Sequence, residues 1–280
     1  MLSLMLGLTA ALAWGVHDIC VRYVSQRGGI LPALTTVLVI GSLVLVPVTL
    51  VGGGWQEMTA PAYGFSMLSG IFYVFGCIGL YKAFAIGPVR LVAPIMGAYP
   101  VLSITWSALL GQRVPLDQWL AVGAVVAGVG VVSTLTDQDD STGTQSAAIG
   151  WAVLGAVGFA ATFAIGHIAT QAGAELPVVL IARVVTTAGV TLILVLTTGA
   201  MLPERGAWPL LGLMAVLDAF ALGIVIASGG LDRPEFAAVA ASTFGMVTII
   251  LAWGFLKERM TQAQWGGVML TFGGIGYLAL

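Results

Sequence analysis

Gln112-Arg113-Val114-Pro115-Leu116-Asp117-Gln118-Trp119 returns 146 residues later as Glu258-Arg259-Met260-Thr261-Gln262-Ala263-Gln264-Trp265. Arg113 falls on Arg259, Gln118 on Gln264 and Trp119 on Trp265. In the same register Pro88 falls on Pro234, and Gly128 and Gly130 fall on Gly274 and Gly276. A shift of 145 lays Leu31-Pro32 over Leu176-Pro177 and Trp14 over Phe159. Glycines coincide easily in glycine-rich segments. Pro, Arg, Gln and Trp coinciding together point to a duplication. The longest polar insert, Asp137 to Ser146, lies at the midpoint between the two copies.

Around these motifs the chain is apolar. A helix crosses the hydrocarbon with roughly 20 mainly apolar residues. Ten such runs are predicted, near 4–24, 31–51, 63–85, 90–110, 118–134, 148–169, 177–198, 207–229, 236–256 and 264–280. Turn chemistry separates them, at Gly28-Gly29, Gly52-Gly53-Gly54, Gly87-Pro88, Leu176-Pro177 and Arg233-Pro234. The runs do not alternate polar and apolar residues as barrel strands do. The first has no basic leader and no small-residue cleavage site, so it reads as a retained span. Each copy then carries five spans. Five is odd, so the second copy inserts upside down relative to the first. Inverted repeats of this kind enclose a site near the membrane midplane. The expected fold is all-α: ten transmembrane helices as two inverted five-helix repeats around a central cavity. The first repeat spans 1–135, the linker 136–147 and the second repeat 148–280.

Composition agrees. The 280 residues are 59% hydrophobic and 8% charged, with mean hydropathy +1.05. A soluble domain carries about 25% charged residues. A net charge of -2 offers no basic excess, so no nucleic-acid partner is expected. Cys20 and Cys77 cannot build a disulfide framework or a cysteine cluster. His17 and His167 do not suggest a metal site, and the acidic run Asp137, Asp139, Asp140 reads as a solvated linker. No metal and no cofactor are expected. Ser3, Ser69, Ser103 and Ser107 lack nearby histidines, so no catalytic residue is assigned and the chain does not read as an enzyme. The expected partners are the lipid bilayer and a small-molecule substrate.

Charge at mid-bilayer costs about 2.5–3.5 kcal/mol on insertion scales, so each deep charge needs a reason. Asp18, Arg183 and Asp218 lie deep in the first, seventh and eighth spans. Lys82 sits in the last turn of the third, where it can snorkel. Trp14, Asp18 and Arg22 share one helix face at i, i+4 spacing. That face is either a cavity wall or an Asp18–Arg22 ion pair. Arg183 and Asp218 are within pairing reach, and binding of a substrate carboxylate by Arg183 is the alternative. Aromatics mark the other cavity-facing positions: Tyr73 with Cys77 and Tyr81, Tyr99 and Trp106, Phe159 and Phe163, and Phe244. Tyr73 and Tyr99 are favoured, since a buried phenol wants a hydrogen-bond partner. Pro94 and Pro100 interrupt the fourth-span ladder and suggest a hinge. The second copy has Ala240 and Met246 there, which predicts a one-sided bend. Trp119 and Trp265 read as interface anchors.

The stretch from Tyr81 through Gly87-Pro88-Val89-Arg90 to Pro94, then Tyr99-Pro100, Gly111-Gln112-Arg113 and Trp119, resembles an EamA-type repeat. So do Leu256-Lys257-Glu258-Arg259 with Gln264-Trp265, and the opening Ala13-Trp14-Gly15. The resemblance is to the drug/metabolite transporter superfamily and covers the whole chain as two copies. It implies ten helices, two inverted repeats, a central cavity and passage of small polar or amphipathic metabolites, amino-acid-like or similar, across the inner membrane by alternating access, as an exporter. A facilitative sugar or nucleotide-sugar carrier is the alternative within the superfamily. A lipid scramblase or a membrane-embedded enzyme is the alternative outside it.

The chain departs from the pattern in places. The family's Gly-Glu-Arg reads Gly111-Gln112-Arg113 in the first copy. The second-span arginine appears once, at Arg183, opposite Leu38. The copies have diverged, which favours an asymmetric monomer. Small multidrug exporters carry a glutamate eight residues before a basic residue; here that spacing from Arg22 leads to Trp14, which cannot titrate. Counting Lys and Arg in the loops favours termini outside. The resemblance favours both termini in the cytoplasm, the expectation adopted.

Overall fold

Apolar runs of membrane length leave the backbone no hydrogen-bonding choice but helix. The computed structural model describes residues 2–27, 29–109, 111, 113–136, 144–197, 202–228 and 235–278, and among them there is no strand. Twelve α-helices follow one another among the described residues: α1 (Leu2–Arg27), α2 (Ile30–Gly52), α3 (Ala60–Ile86), α4 (Val89–Gly97), α5 (Tyr99–Leu109), α6 (Leu116–Thr134), α7 (Gln145–Gln171), α8 (Glu175–Thr197), α9 (Trp208–Ser228), α10 (Glu235–Ser242), α11 (Phe244–Phe255) and α12 (Gln262–Leu278). Among the described residues, seven segments are long and apolar enough to cross a membrane: α1, α2, α3, α6, α7, α8, and α9 with the turn before it. The molecule is apolar outside. Leu43, Leu50, Val51, Leu120, Leu196 and Phe255 are exposed, whereas Asp18, Arg22, Arg90 and Arg183 are buried. A surface of that kind faces lipid.

The two helix pairs α4–α5 and α10–α11 are interrupted at Ala98 and Thr243. Both residues have nearly the same backbone, φ -77 and ψ 6 at Ala98, φ -79 and ψ 2 at Thr243. Both turns tighten through a bond to the third residue back, Ala98 N–H to Ile95 O and Thr243 N–H to Ala240 O, each 3.2 Å. This corrects the expected one-sided bend, because the second copy breaks as well. No proline is needed there. The Thr243 hydroxyl donates to Ala240 O at 2.6 Å and competes with the ladder. It also relocates the hinge. α4 runs through Pro94, which is buried inside it, and the break falls four residues later. Pro100 is the second residue of α5, where a missing N–H costs nothing; its side chain lies outside the described residues.

Packing exchanges the copies. α1 lies against α9, α10 and α11; α7 lies against α3, α4 and α5. α2 meets α8, and α6 meets α12. The α3–α7 crossing is made by glycine backbone. A Cβ on Gly158 would sit 2.4 Å from Gly76 N, and one on Gly79 would sit 2.5 Å from Gly155 N. Thr59 closes the same interface at one end, accepting from Ala62 N–H and donating to Ala172 O at 2.7 Å. Thr144 caps α7 by accepting from Ala147 N–H, so that helix begins at Gln145, inside the stretch read as linker. The acidic run at 137–140 lies outside the described residues.

The turn after α11 carries Lys257 at φ 55, and the turn after α5 carries Gly111 at φ 82. These are the same position in the two copies at a shift of 146. In the second copy the left-handed residue turns Glu258 back onto α4. Its carboxylate accepts from Val89 N–H at 2.9 Å and Arg90 N–H at 3.1 Å, capping the first turn of that helix.

Candidate substrate site

Arg183 stands at the centre. α8 carries it, and Gly41 of α2 makes room for it: a Cβ there would lie 2.5 Å from Arg183 Nη2. Nη2 donates to Asp218 Oδ2 of α9 in a buried ion pair. Nη1 donates to the Tyr73 hydroxyl of α3 at 3.2 Å. Nε is buried and finds no acceptor among the described residues. Asp218 Oδ1 accepts from the Trp14 indole N–H of α1 at 3.2 Å. Trp14, Tyr73, Arg183 and Asp218 therefore form one network drawn from four helices. Cys77, one turn along α3 from Tyr73, lies within electrostatic reach of the same guanidinium.

Aromatic rings extend this network to both sides. Trp14 meets Phe244 edge-on, with centroids 6.1 Å apart. Tyr73 meets Phe159 at 5.7 Å, Phe159 meets Phe163 at 6.4 Å, and Phe163 meets Tyr99 at 5.1 Å. A register of 145 relates these positions. Trp14 corresponds to Phe159, Tyr73 to Asp218 and Tyr99 to Phe244. The six residues are three repeat-related pairs, and Arg183 sits between the members of the second. The sequence carried this signal, since the shift that lays Trp14 over Phe159 also lays Tyr73 over Asp218 and Tyr99 over Phe244. The side chain of Trp106 lies outside the described residues.

Asp18 and Arg22 are not brought together, which corrects the suggested ion pair. Asp18 faces α11, where Oδ2 accepts from the Thr248 hydroxyl at 3.3 Å. Its Oδ1 lies 3.4 Å from Nδ1 of His17. His17 is also within electrostatic reach of Asp218. Arg22 instead donates to Phe84 O at the end of α3. With the Gln26 amide oxygen turned toward it, Arg22 also donates there at 2.8 and 2.9 Å. The pairing fails because the Phe84 carbonyl, near the end of α3 and short of a helical donor, competes for the guanidinium. Lys82 lies 4.1 Å from the Trp151 ring centroid, a cation–π contact rather than a bare snorkel. Nothing in the sequence singled out Thr248, Gly41 or the capping role of Glu258. Each acts through a neighbour distant in sequence.

What the arrangement can do chemically is bind. It offers a cation and a carboxylate side by side, ring faces on both flanks, and one guanidinium N–H without an acceptor among the described residues. The sequence profile of the EamA-like transporter family matches residues 1–134 and again residues 146–280. No curated protein matches at the same stringency. Among solved structures, one titled only "Crystal structure of protein" superposes with a TM-score of 0.64 at 17% identity, covering 98% of this chain and 94% of that one.

Proposed function

Because the chain belongs to the EamA-like transporter family, we propose that it is a secondary transporter, an exporter of small zwitterionic or amphipathic metabolites such as amino-acid-like compounds. The observation that carries this is the buried Arg183–Asp218 pair held between Trp14 and Tyr73. A zwitterion matches it charge for charge. Its carboxylate meets the guanidinium, where Nε has no acceptor among the described residues, and its ammonium meets Asp218. The aromatic rows receive an apolar side chain.

The same reading supplies the architecture. Ten spans arise if α4–α5 and α10–α11 each cross the membrane as one broken helix. Two five-span copies, 1–135 and 148–280 joined by a short linker, are then inverted in an inner membrane with both termini in the cytoplasm. Support comes from the exchange of contacts between copies, α1 with α9 to α11 against α7 with α3 to α5. It comes also from Ser42 Oγ lying 3.0 Å from its own repeat mate, Thr187 Oγ1. Alternating access follows from rocking one copy against the other.

The test is counterflow in proteoliposomes made with the purified monomer. Saturable uptake of a labelled amino acid or amine is expected, reduced at least about ten-fold in Trp14→Ala. If no amino acid, sugar or amine moves above empty liposomes, the proposal fails.

A further inference from the structure

The helices gather into two bodies, and one end of the bundle is bridged between them. α1 packs with α9, α10 and α11, and α7 packs with α3, α4 and α5. Where α1, α3 and α11 finish and α4 begins, charged side chains cross from one body to the other. Arg22 of α1 donates to Phe84 O of α3. Glu258, in the turn after α11, accepts from the first amides of α4, and its Oε2 lies 3.8 Å from Arg90 Nη1.

Repeat-related faces show that the opposite end is open. A shift of 145 lays Asp18, Arg22 and Gln26 of α1 over Phe163, His167 and Gln171 of α7. The local pairing is kept in both. Arg22 donates to the Gln26 amide oxygen turned toward it, and His167 Nε2 lies 3.1 Å from Gln171 Nε2. Burial is not kept. Asp18 and Arg22 are 4% and 7% exposed, whereas Phe163 is 53% exposed and His167 is exposed too. Phe163 still touches the rings of Phe159 and Tyr99, so its open side lies beside the central site. Packing of the described helices agrees. α1 lies against α3 and α4 against α11, but their mates, α7 with α9 and α10 with α5, have no comparable packing.

The sequence makes the bridge one-sided. Glu258 and Arg90 fall on Gln112 and Phe236 at a shift of 146, and Arg22 falls on His167 at 145. Exchanging the conformations of the copies therefore brings no carboxylate onto helix amides and no guanidinium onto a carbonyl at these positions. Hydrogen bonds with an ionised partner are roughly twice as strong as neutral ones.

We propose that Arg22 and Glu258 form a one-sided latch, which holds the carrier at rest closed at their end and open at the end where α1 begins and α12 finishes. The inference rests on the alternating-access reading above. With both termini in the cytoplasm, the resting site faces the cytoplasm, where an exporter loads. A substrate arriving from the latched side meets only the minor open fraction, and its apparent affinity falls by that fraction.

Distances between spin labels, measured by pulsed electron paramagnetic resonance on the full chain in lipid nanodiscs, test this. Labels at Phe255 and Ser146 span the two bodies at the latched end, and labels at Met5 and Ile168 span them at the other. All four positions are exposed. Cys20 and Cys77 are buried, and label uptake by the wild type is the control for them. The wild type should be close at the first pair and apart at the second. R22H/E258Q gives both positions the residue of the other copy. It should move the equilibrium at least about ten-fold toward the inverse state, adding a longer component at the first pair and a shorter one at the second. E258Q alone should move it in the same direction by less. Thermal melting checks that the variants are folded. Wild-type distances in folded R22H/E258Q and E258Q overturn the latch, as does a wild type already divided equally between the two states. Counterflow by the wild type is measured alongside. Unmoved distances with active counterflow reject the latch and keep the transporter. Absent counterflow rejects the transport reading, and the distances still judge the latch.

Discussion

Arg183 hydrogen-bonds at once to Tyr73 and Asp218, two residues that hold the same place in the two copies. The first copy has Leu38 where the second has Arg183, so a single guanidinium serves a site built twice. Its charge sits deep in the bundle and is matched by Asp218. Asp218→Asn leaves that charge uncompensated, and breaking a buried pair from one side costs about 3–5 kcal/mol. The variant should melt well below the wild type in detergent. Adding Arg183→Leu, the residue of the first copy, removes the orphaned charge and should recover most of the melting temperature without recovering transport. Wild-type melting of Asp218→Asn alone would show that the pair is not a stabilising contact. Asp18 differs from Asp218 in having no arginine. It touches His17 on its own helix and Thr248 on α11, and Cys20, Asp218 on α9 and Tyr81 on α3 lie within its electrostatic reach. A carboxylate without a fixed counter-charge is the one suited to exchange a proton. Asp18→Asn should therefore keep substrate exchange at equal pH while losing uptake driven by a pH gradient. Uptake by Asp18→Asn that still follows the gradient would remove Asp18 from that role.

At the scale of elements, the α3–α7 crossing depends on the absence of side chains. Gly158→Ala puts a methyl 2.4 Å from the backbone of Gly76, and forcing atoms into a packed interface costs typically 1–3 kcal/mol. Gly150, on the same helix, has open space around the position of a Cβ. There Ala replaces a poor helix former by the best one, worth up to about 1 kcal/mol. Thermal melting of the two variants should therefore move in opposite directions. A shift of the same sign in both would mean that the crossing is not close-packed in membrane. The positions of these helices were legible because apolar length alone defines a span. Lys82, Thr144 and Ala98 show where legibility ended. Lys82 was placed near the end of α3, but its Trp151 partner lies on α7. α7 begins at Gln145 because Thr144 caps it, a local signal that could have been read. The breaks at Ala98 and Thr243 could not be read from Pro94 and Pro100. A proline marks a missing N–H, whereas the turn forms where neighbouring helices fix both halves. The Asp18–Arg22 spacing was correct, but spacing only permits a contact, and Phe84 O and Thr248 took the two partners instead.

For the whole molecule, the duplication constrains motion as well as architecture. If the inward-open and outward-open states are reached by exchanging the conformations of the two copies, a contact between residue i in one copy and j in the other is replaced by the contact between their mates. Such contacts form and break during the cycle. The Glu258 cap on α4 is of this kind, and it holds its end of the bundle together in the present state. A contact between a residue and its own mate is different, because the exchange maps it onto itself. Its length is the same in both states. Ser42 and Thr187 make such a contact, 3.0 Å between hydroxyl oxygens, where α2 meets α8. Replacing both with cysteine allows a disulfide at the axis, and Cys20 and Cys77 are buried and do not compete for it. Cleavage at a protease site placed in the segment 137–143 then reports the bond, since the two halves stay joined only when it has formed. Oxidised S42C/T187C protein should retain most of its counterflow rate. Arrest on oxidation with recovery on reduction would place the moving interface at α2–α8 and contradict an exchange of conformations about that contact.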